Sequence, residues 1–338
     1  MAQREFPLRM VAWELTRNCN LNCVHCRASA TKGPYKGELT FSECVGIMDE
    51  IRSFSDPTII LTGGEPLLRG DIFDIISYGA ESDLRMVIAT NGTLLDEEQA
   101  CKLKASGIKR VSMSLDGVDR EAHDSFRGVE GSFDAVMEGA RILKRIEIPF
   151  QINTTVTRLN MENLEGIYGL AKETGAVGWH VFLLVPVGRG EGLKNEELSA
   201  MMYESVLEGL YEIEKRDEME LKVTCAPHYY RIVKEKGGMP KSAGCLAGKS
   251  FMFISHRGIA QPCGYLEAAS GDVRKSGVKA VWEDSPVFAA LRTLASYKGK
   301  CGGCGYLKIC GGCRARAYES KNDIMEEEPY CSYGLTDK

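Results

Sequence analysis

The 338-residue sequence has no long apolar segment and no excess of positive charge. No apolar run approaches the roughly 18 residues that a membrane-spanning helix needs, so no transmembrane segment is expected. Charged residues interrupt the first seventeen positions, which argues against a secretory signal peptide. The formal net charge is −5, so we expect no basic surface for nucleic acid or for an anionic membrane.

Cysteine is the residue that the sequence has in excess. Thirteen cysteines occur in a chain that is otherwise ordinary, with 44% hydrophobic and 26% charged residues. A disulfide framework is the simplest alternative, but the odd count and the lack of a secretion signal argue against it. So many cysteines indicate metal ligation in a reducing compartment, and we expect an anaerobic cytoplasm.

Three of these cysteines lie close together near the N-terminus. Cys19, Cys23 and Cys26 form a C-x3-C-x2-C pattern. Three thiolates can hold three irons of a cubane cluster and leave the fourth iron without a protein ligand, where chemistry can occur. Zinc sites usually use cysteine pairs separated by a longer loop. The triplet therefore predicts a catalytic [4Fe–4S] cluster.

The first half of the sequence alternates between strand-like and helix-like segments. The strand-like segments are 10–16, 58–63, 85–90, 110–115, 150–156 and 179–185, and the helical ones are 41–54, 71–82, 96–106, 132–146 and 161–174. Six βα units with short connections predict an α/β fold with a parallel sheet, either a barrel or an open sheet. In both architectures the active site lies at the C-terminal edge of the strands, and the cysteine triplet directly follows the first strand.

The composition of the sequence changes near residue 245. Seven of the thirteen cysteines fall between positions 245 and 331, among glycine pairs and few long helical patterns. This composition is typical of a small domain that metal sites hold together. We therefore expect three segments: a core over 1–186, a bridging region over 187–243, and a cysteine-rich iron–sulfur domain over 244–338.

A second motif follows the second strand and reads Thr62-Gly63-Gly64-Glu65-Pro66. Two glycines let the backbone approach a ligand closely, and a carboxylate at a strand end can accept from an ammonium group. With the cysteine triplet, the sequence resembles the radical S-adenosylmethionine (SAM) enzymes over nearly its whole length. The resemblance implies a partial (β/α)6 TIM-like barrel and a low-potential electron donor such as ferredoxin or flavodoxin. It also implies that the open iron binds SAM, which is cleaved to a 5′-deoxyadenosyl radical.

The positions that the resemblance implies for SAM binding lie mostly at strand ends: Gly63, Gly64, Glu65, Asn91, Ser114, Arg127, Asn153 and Leu184. By this resemblance Glu65 binds the methionine amine, Ser114 contacts the ribose or methionine end, and Arg127 pairs with the SAM carboxylate. Asn91, Asn153 and Leu184 would contact the nucleoside. For Asn91 and Asn153 the alternative is capping of the next helix.

The C-terminal cysteines resemble the SPASM extension, which carries auxiliary iron–sulfur clusters. By that family's wiring, one cluster is held by Cys301, Cys304, Cys310 and Cys331, and another by Cys245, Cys263 and Cys313. The fourth ligand of the second cluster is open at this point: Cys225 is one candidate, and an iron that binds substrate is the other. Two residues separate Cys310 from Cys313, where the family usually has three. Zinc at positions 301, 304, 310 and 313 is the alternative.

Several segments resemble the alternative-heme-pathway enzymes, in particular those that convert iron-coproporphyrin III to heme. They are WELTRNCNLNCVHCRASA, TCAPHYYRI and CGGCRARAYES. The resemblance implies oxidative decarboxylation of two propionates to vinyl groups, with an auxiliary cluster as electron acceptor. Arg189 would pair with a propionate, and His228 with its neighbour Tyr229 would face the macrocycle. The alternatives are a solvent-exposed arginine and a histidine satisfied within the core.

Other functions stay open at this point. A sister tetrapyrrole enzyme would remove acetate side chains from a siroheme derivative or modify the propionates of a nitrite-reductase heme. A peptide maturase is more distant, because Gly264 stands where sulfatase-type maturases carry an aspartate. A non-catalytic iron–sulfur electron carrier would leave the glycine motif, Ser114 and Arg127 without a purpose.

Overall fold

The computed structural model describes residues 6–216, 218–242 and 244–334. The strands are β1 (Met10–Thr16), β2 (Thr58–Gly63), β3 (Arg85–Ala89), β4 (Arg110–Ser114), β5 (Phe150–Val156), β6 (Gly178–Leu183), β7 (Glu220–Thr224), β8 (Phe251–Ile254), β9 (Ile259–Gln261) and β10 (Gly271–Asp272). The helices of the first 240 residues are α1 (Phe41–Phe54), α2 (Ile72–Glu81), α3 (Glu97–Ala105), α4 (Arg120–Arg127), α5 (Ser132–Ile146), α6 (Leu164–Thr174), α7 (Ala200–Glu214) and α8 (Tyr229–Glu235). Those that follow are α9 (Val273–Ser276), α10 (Val278–Asp284), α11 (Pro286–Arg292), α12 (Gly299–Gly302) and α13 (Arg314–Lys321).

All ten strands belong to one sheet, in the order β10-β9-β8-β1-β2-β3-β4-β5-β6-β7. Strands β1 to β7 are parallel neighbours in chain order, and β8 pairs with the other side of β1, also in parallel. Strands β9 and β10 extend that side in antiparallel. The order is linear, so β7 and β10 are edges and the barrel is incomplete, which agrees with the predicted partial barrel.

The six predicted strands and five predicted helices are all present, within one to three residues at their ends. The first helix begins with a capping box, in which Thr40 and Glu43 satisfy each other's backbone nitrogens. Four strands were not predicted: β7 lies in the bridging segment, and β8 to β10 lie in the cysteine-rich segment. The sheet therefore continues through all three predicted segments.

Alternate residues of β5 to β7 point to opposite sides of the sheet. Trp179, Val181 and Val223 face the helices and belong to the main hydrophobic core. The residues between them form one row across four strands, in which Ser114 lies opposite Asn153, Asn153 opposite His180, and His180 opposite Lys222. Directly paired residues share a face, so this polar row (Ser114, Asn153, His180 and Lys222) lines the side that faces away from the helices.

The helices pack on the outer face of the sheet and bury its apolar side. Across the described ranges, no helix combines the length and the apolarity needed to span a membrane.

Candidate active site and auxiliary cluster sites

The cysteine triplet lies on a loop that begins directly after β1. Cys19 and Cys23 are buried and Cys26 is partly buried. Each sulfur has a donor nearby: Leu21 N lies 3.4 Å from Cys19 Sγ, Ala30 N lies 3.4 Å from Cys26 Sγ, and a side chain described below reaches Cys23. Such N–H···S contacts are typical around cluster thiolates. Burial raises the pKa of Cys19 to about 11, so a bound metal is needed to ionise it at neutral pH.

The two glycines of the GGEP motif contact the backbone that leads into this loop. Gly64 N donates to Thr16 O at 2.7 Å. A Cβ atom at Gly63 would lie 2.4 Å from Thr16 O, and one at Gly64 would lie 2.5 Å from Asn18 O. These distances are too short for any other residue. The glycines are therefore required for the close approach of β2 to the cysteine loop, a contact that the sequence analysis did not foresee.

Glu65 is fully buried and holds three hydrogen bonds. Its Oε1 accepts from the Thr90 hydroxyl at 2.8 Å and from Leu67 N at 3.0 Å, and its Oε2 accepts from Asn91 N at 2.7 Å. Burial raises the pKa of Glu65 to about 7, although these three donors oppose the shift. A carboxylate oxygen can accept two hydrogen bonds, so Oε2 keeps one acceptor position for an ammonium group.

Asn91 ties the end of β3 to the cysteine loop. Its Nδ2 donates to Asn20 Oδ1 at 2.8 Å, and its Oδ1 accepts from Thr93 N at 2.9 Å. The helix-capping alternative for Asn91 is wrong, because Asp96 caps α3. It is also wrong for Asn153, which lies inside β5 and accepts from the Gln151 side chain at 3.0 Å.

Arg127, the last residue of α4, lies against the cysteine loop. Its Nη1 is 3.7 Å from Cys23 Sγ, and its Nη2 forms an ion pair with buried Asp116, a residue that the sequence analysis missed. Asp116 is itself held by Thr155 N at 2.6 Å. The Nε of Arg127 has no hydrogen-bond partner among the residues that the structure describes. One donor of this fixed guanidinium is therefore available to a ligand.

A second missed residue, Glu14, lies buried in β1. Burial opposes its ionisation, but His256 at 2.7 Å and Arg27 at 3.1 Å lower the pKa of Glu14 to about 2. Arg27 follows Cys26 directly and also lies over the ring of Phe253, 4.6 Å from its centre. Its Nη1 reaches Gly264 O at 3.5 Å. Arg27 thus connects the cysteine loop to the segment that carries Cys263.

Arg189 and Tyr229, for which the predicted substrate contacts stay predictions, each have hydrogen-bond partners within the protein. Arg189 donates to Cys23 O at 2.8 Å and to Ala30 O at 2.6 Å, so it supports the cysteine loop from outside. The Tyr229 hydroxyl donates to Glu214 on α7.

Leu184 and Ser114 lie at the ends of β6 and β4. The carbonyl of Leu184 accepts from Arg316 Nη1 at 2.8 Å, and its side chain is buried. Ser114 is half-buried at the start of the polar row. Both therefore lie at the sheet edge that carries the cysteine loop.

Four of the C-terminal cysteines line one cavity, as the SPASM wiring predicts: Cys301, Cys304, Cys310 and Cys331. Backbone nitrogens of Glu328, Tyr306 and Gly312 each lie 3.4 Å from a sulfur of this group. His228 lines the same cavity, is 1% exposed, and neither ring nitrogen has a hydrogen-bond partner among the described residues. Burial lowers its pKa to about 4, so the ring is neutral. The structure thus places His228 beside this cysteine group.

Cys313 turns away from that cavity toward a second group. It packs with Cys263 and Cys225 in a small buried cluster. The turn is made by Gly311 and Gly312, whose φ angles of +69° and +62° are left-handed. Two residues are therefore enough to direct Cys310 and Cys313 to different groups, which accounts for the shortened spacing.

The alternatives for the cysteines can be judged from the same geometry. All thirteen cysteines lie in described residues and none forms a disulfide. Zinc at positions 301, 304, 310 and 313 would need these four thiolates around one ion. Cys313 instead packs with Cys225 and Cys263, while the other three share a cavity with Cys331. This grouping follows the SPASM wiring and not the zinc alternative.

Comparison with known proteins agrees with this geometry. Residues 13–171 match the radical SAM superfamily, and residues 245–314 match the SPASM iron–sulfur cluster-binding domain. The chain is 47% identical over 338 residues to the AdoMet-dependent heme synthase of Methanosarcina barkeri, covering 96% of both chains. It is 48% identical to the protein of the same name from Nitratidesulfovibrio vulgaris, covering 96% of this chain and 92% of that one. The chain belongs to the AdoMet-dependent heme synthase family.

Other relatives of this family member are more distant. The Fe-coproporphyrin III synthase of Methanosarcina barkeri is 30% identical, covering 95% of this chain and 87% of that one. Streptococcus suis SuiB bound to S-adenosylmethionine has a TM-score of 0.76 at 20% identity, covering 97% of this chain and 77% of that one. The structure of anSMEcpe with bound AdoMet has a TM-score of 0.76 at 20% identity, covering 96% of this chain and 94% of that one. The predicted fold class is confirmed.

The two domain matches also establish the enzyme class and its cofactors. The protein is a radical SAM enzyme that uses S-adenosylmethionine, with a [4Fe–4S] cluster in the core and auxiliary iron–sulfur binding in the C-terminal domain. The SPASM match ends at residue 314, so Cys331 lies outside it. The cavity shared by Cys331 and Cys301 extends that domain toward the C-terminus.

Proposed function

We propose that this protein converts iron-coproporphyrin III to heme b by oxidative decarboxylation of two propionate side chains to vinyl groups. The observation that carries the proposal is the identity of 44–48%, over 96% of the chain, to three proteins named AdoMet-dependent heme synthase. Proteins named Fe-coproporphyrin III synthase, pre-heme d1 synthase and mycofactocin maturase match at only 29–30%. The substrate is therefore assigned by the difference between these two levels of identity.

The chemistry assigned to the core site is hydrogen abstraction. A cluster held by Cys19, Cys23 and Cys26 supplies, with bound SAM, a 5′-deoxyadenosyl radical. Each propionate loses a hydrogen atom from its β-carbon, then carbon dioxide and one electron, and a vinyl group remains. Glu65 binds the SAM ammonium through Oε2, and Arg127 binds the SAM carboxylate through its unbonded Nε. Gly63, Gly64, Asn91, Ser114, Asn153 and Leu184 complete the SAM site.

The electron that each propionate gives up needs an acceptor near the substrate. Tyr265 packs in the same buried cluster as Cys263 and Cys313. Arg27 also spans from the core loop to Gly264. These contacts make an auxiliary cluster at Cys245, Cys263 and Cys313 the proposed electron exit. The second auxiliary cluster, at Cys301, Cys304, Cys310 and Cys331, would pass the electron onward.

A substrate with four carboxylates needs cations, and the polar row offers one. Lys222 makes no hydrogen bond or ion pair with any described residue, although it is half-buried on the inner face of β7. Burial lowers the pKa of its ammonium group, and Glu220 only partly opposes this. Three strand spacings separate Lys222 from Ser114, about 14 Å between Cα atoms. We assign Lys222 as a partner of a substrate propionate that lies beyond the SAM site.

We assign the same protein to a reducing cytoplasm with a ferredoxin or flavodoxin as electron donor. Thirteen unpaired cysteines support the reducing compartment. The donor is inferred from the chemistry, since cleavage of SAM consumes one low-potential electron for each radical.

The proposal is tested by anaerobic turnover of the reconstituted protein with SAM, a low-potential reductant and iron-coproporphyrin III. Mono- and divinyl products, identified by mass spectrometry, are the expected result. A didecarboxysiroheme substrate and a nitrite-reductase heme precursor are supplied in parallel reactions. Turnover of either of these without vinyl formation from iron-coproporphyrin III would assign the sister activity instead.

A further inference from the structure

Cys225 lies where the bridging segment meets the cysteine-rich domain. It directly follows β7, and its side chain packs in the same buried cluster as Cys263 and Cys313. Cys225 is not part of the SPASM match, which begins at residue 245. In sequence it is separated from Cys313 by 87 intervening residues, so only the fold brings the two thiols together.

The backbone at Cys225 is held in an unfavourable conformation. Its φ angle of +61° is left-handed, a region that residues other than glycine avoid. The Nη2 of Arg316 donates to the Cys225 carbonyl, while the Nη1 of Arg316 donates to Leu184 O. Arg316 lies one turn after Cys313 at the start of α13, so a single guanidinium fixes Cys225 relative to Cys313.

The contacts among the thiols agree with this placement. The side chains of Cys225 and Cys313 are within hydrogen-bonding distance of each other. Cys263 packs in the same buried cluster as these two thiols. Three thiols from distant parts of the sequence therefore meet at one place in the fold.

We propose that Cys225 is the fourth protein ligand of the auxiliary cluster held by Cys245, Cys263 and Cys313. The proposal rests on the auxiliary-cluster part of the proposed function and not on the identity of the substrate. A cubane with four thiolates has no open iron, so this cluster accepts and passes electrons and does not bind the substrate directly. The radical SAM cluster is then the only one of the three proposed clusters with an open iron.

The experiment uses the full-length chain with only this auxiliary cluster left. Cys19, Cys23 and Cys26 are replaced by alanine to remove the core cluster, and Cys301 and Cys304 are replaced to remove the other auxiliary cluster. In this parent, Cys225→Ala and Cys225→Ser are compared with the control Cys101→Ala, which removes an exposed thiol on α3. Iron and sulfide contents are measured, and electron paramagnetic resonance spectra are recorded after reduction, after mild oxidation, and with added cyanide.

The expected result separates the parent from Cys225→Ala. The parent and Cys101→Ala should hold about four irons per chain and give spectra that cyanide does not change. Cys225→Ala should lose about one iron on mild oxidation, give a three-iron signal, and give a cyanide-dependent spectrum when reduced. Cys225→Ser should keep the iron with an altered spectrum, because an alkoxide oxygen replaces the sulfur.

Two results would overturn the assignment. A parent cluster whose spectrum shifts with cyanide has an open iron, and this test does not depend on any variant at Cys225. A Cys225→Ala protein with the iron content and spectra of the parent would show that the thiol is not a ligand. No porphyrin enters these measurements, so their outcome is independent of whether the proposed substrate is correct.

Discussion

Arg316 and Glu328 form a fully buried ion pair, with Nε 2.7 Å from Oε1, between the two groups of C-terminal cysteines. The backbone nitrogen of Glu328 donates to Cys301 Sγ, and the Oε2 atom of Glu328 accepts from Cys313 N at 2.7 Å. Burial opposes ionisation of Glu328, but Arg316 keeps its pKa below the usual value. Glu328 therefore contacts a ligand of each proposed auxiliary cluster, Cys301 through its backbone nitrogen and Cys313 through its carboxylate.

Glu328→Gln should destabilise the cysteine-rich domain strongly. Removing one partner leaves the Arg316 charge buried without a counter-charge, which costs about 3–5 kcal/mol. We expect lower iron content in both auxiliary sites and a lower thermal midpoint, measured anaerobically on reconstituted protein. Glu130→Gln, an exposed position after α4, is the matched control. Unchanged iron content in Glu328→Gln would contradict this role.

Gly64→Ala should displace the cysteine loop. The added Cβ would lie 2.5 Å from Asn18 O, and such overpacking costs about 1–3 kcal/mol. We expect loss of the core cluster with the auxiliary clusters retained, seen as a partial loss of iron and of SAM cleavage. Gly70→Ala is the control, because a Cβ there meets nothing within 4 Å. A Gly64→Ala protein with full SAM cleavage would refute the packing argument.

The affinity for SAM should depend on pH through Glu65. Burial raises its pKa from 4.5 to about 7, so the carboxyl is protonated in the free protein below that pH. The destabilisation caused by its raised pKa is therefore absent below pH 4.5, grows between pH 4.5 and 7, and is constant above 7. The SAM ammonium requires the ionised form, so binding should weaken up to tenfold per pH unit below 7 and level off above it. Calorimetric titrations at several pH values would measure this. Glu65→Gln should bind SAM weakly, and its affinity should not change with pH near 7. If the change near pH 7 persists in this variant, another group is responsible for it.

Lys222→Gln should weaken substrate binding without affecting radical formation. A hydrogen bond between charged groups contributes about 1.5–3 kcal/mol, so KM for iron-coproporphyrin III should rise roughly 10- to 100-fold. SAM cleavage without porphyrin should be unchanged, since Asn153 and Ser114, the two members of the polar row assigned to the SAM site, lie two and three strands away from Lys222. Lys109→Gln, on the exposed surface, is the control. Equal KM values for Lys222→Gln and Lys109→Gln would show that Lys222 does not contact the substrate.

Much of the fold is predictable because six short segments rich in apolar and β-branched residues alternate with clear helical periods. The four missed strands have two to five residues each, and β7 reads ELKVT, with charges that mask its pattern. β8 pairs with β1 across more than 230 residues. No local signal in the sequence indicates such a pairing, because it depends on how the whole chain folds back on β1.

The site residues also fall into those that local sequence patterns predict and those that only the fold brings together. The cysteine triplet and the glycine motif are local patterns whose chemistry follows from residue type and spacing. Glu14 and Asp116 could have been found from a carboxylate within or next to an apolar strand, because a buried charge requires a partner. The contact of Arg189 with the cysteine loop could not have been predicted from the sequence, because its partner Cys23 lies 166 residues earlier in the chain.

The central claim is that the adenosyl radical takes its hydrogen from a propionate side chain. It is tested most directly with iron-coproporphyrin III deuterated at the propionate β-carbons, under single turnover with SAM and reductant. We predict 5′-deoxyadenosine that carries deuterium, with about one deuterium transferred for each vinyl group formed. Vinyl products accompanied by unlabelled 5′-deoxyadenosine, or labelled 5′-deoxyadenosine without vinyl products, would contradict the account.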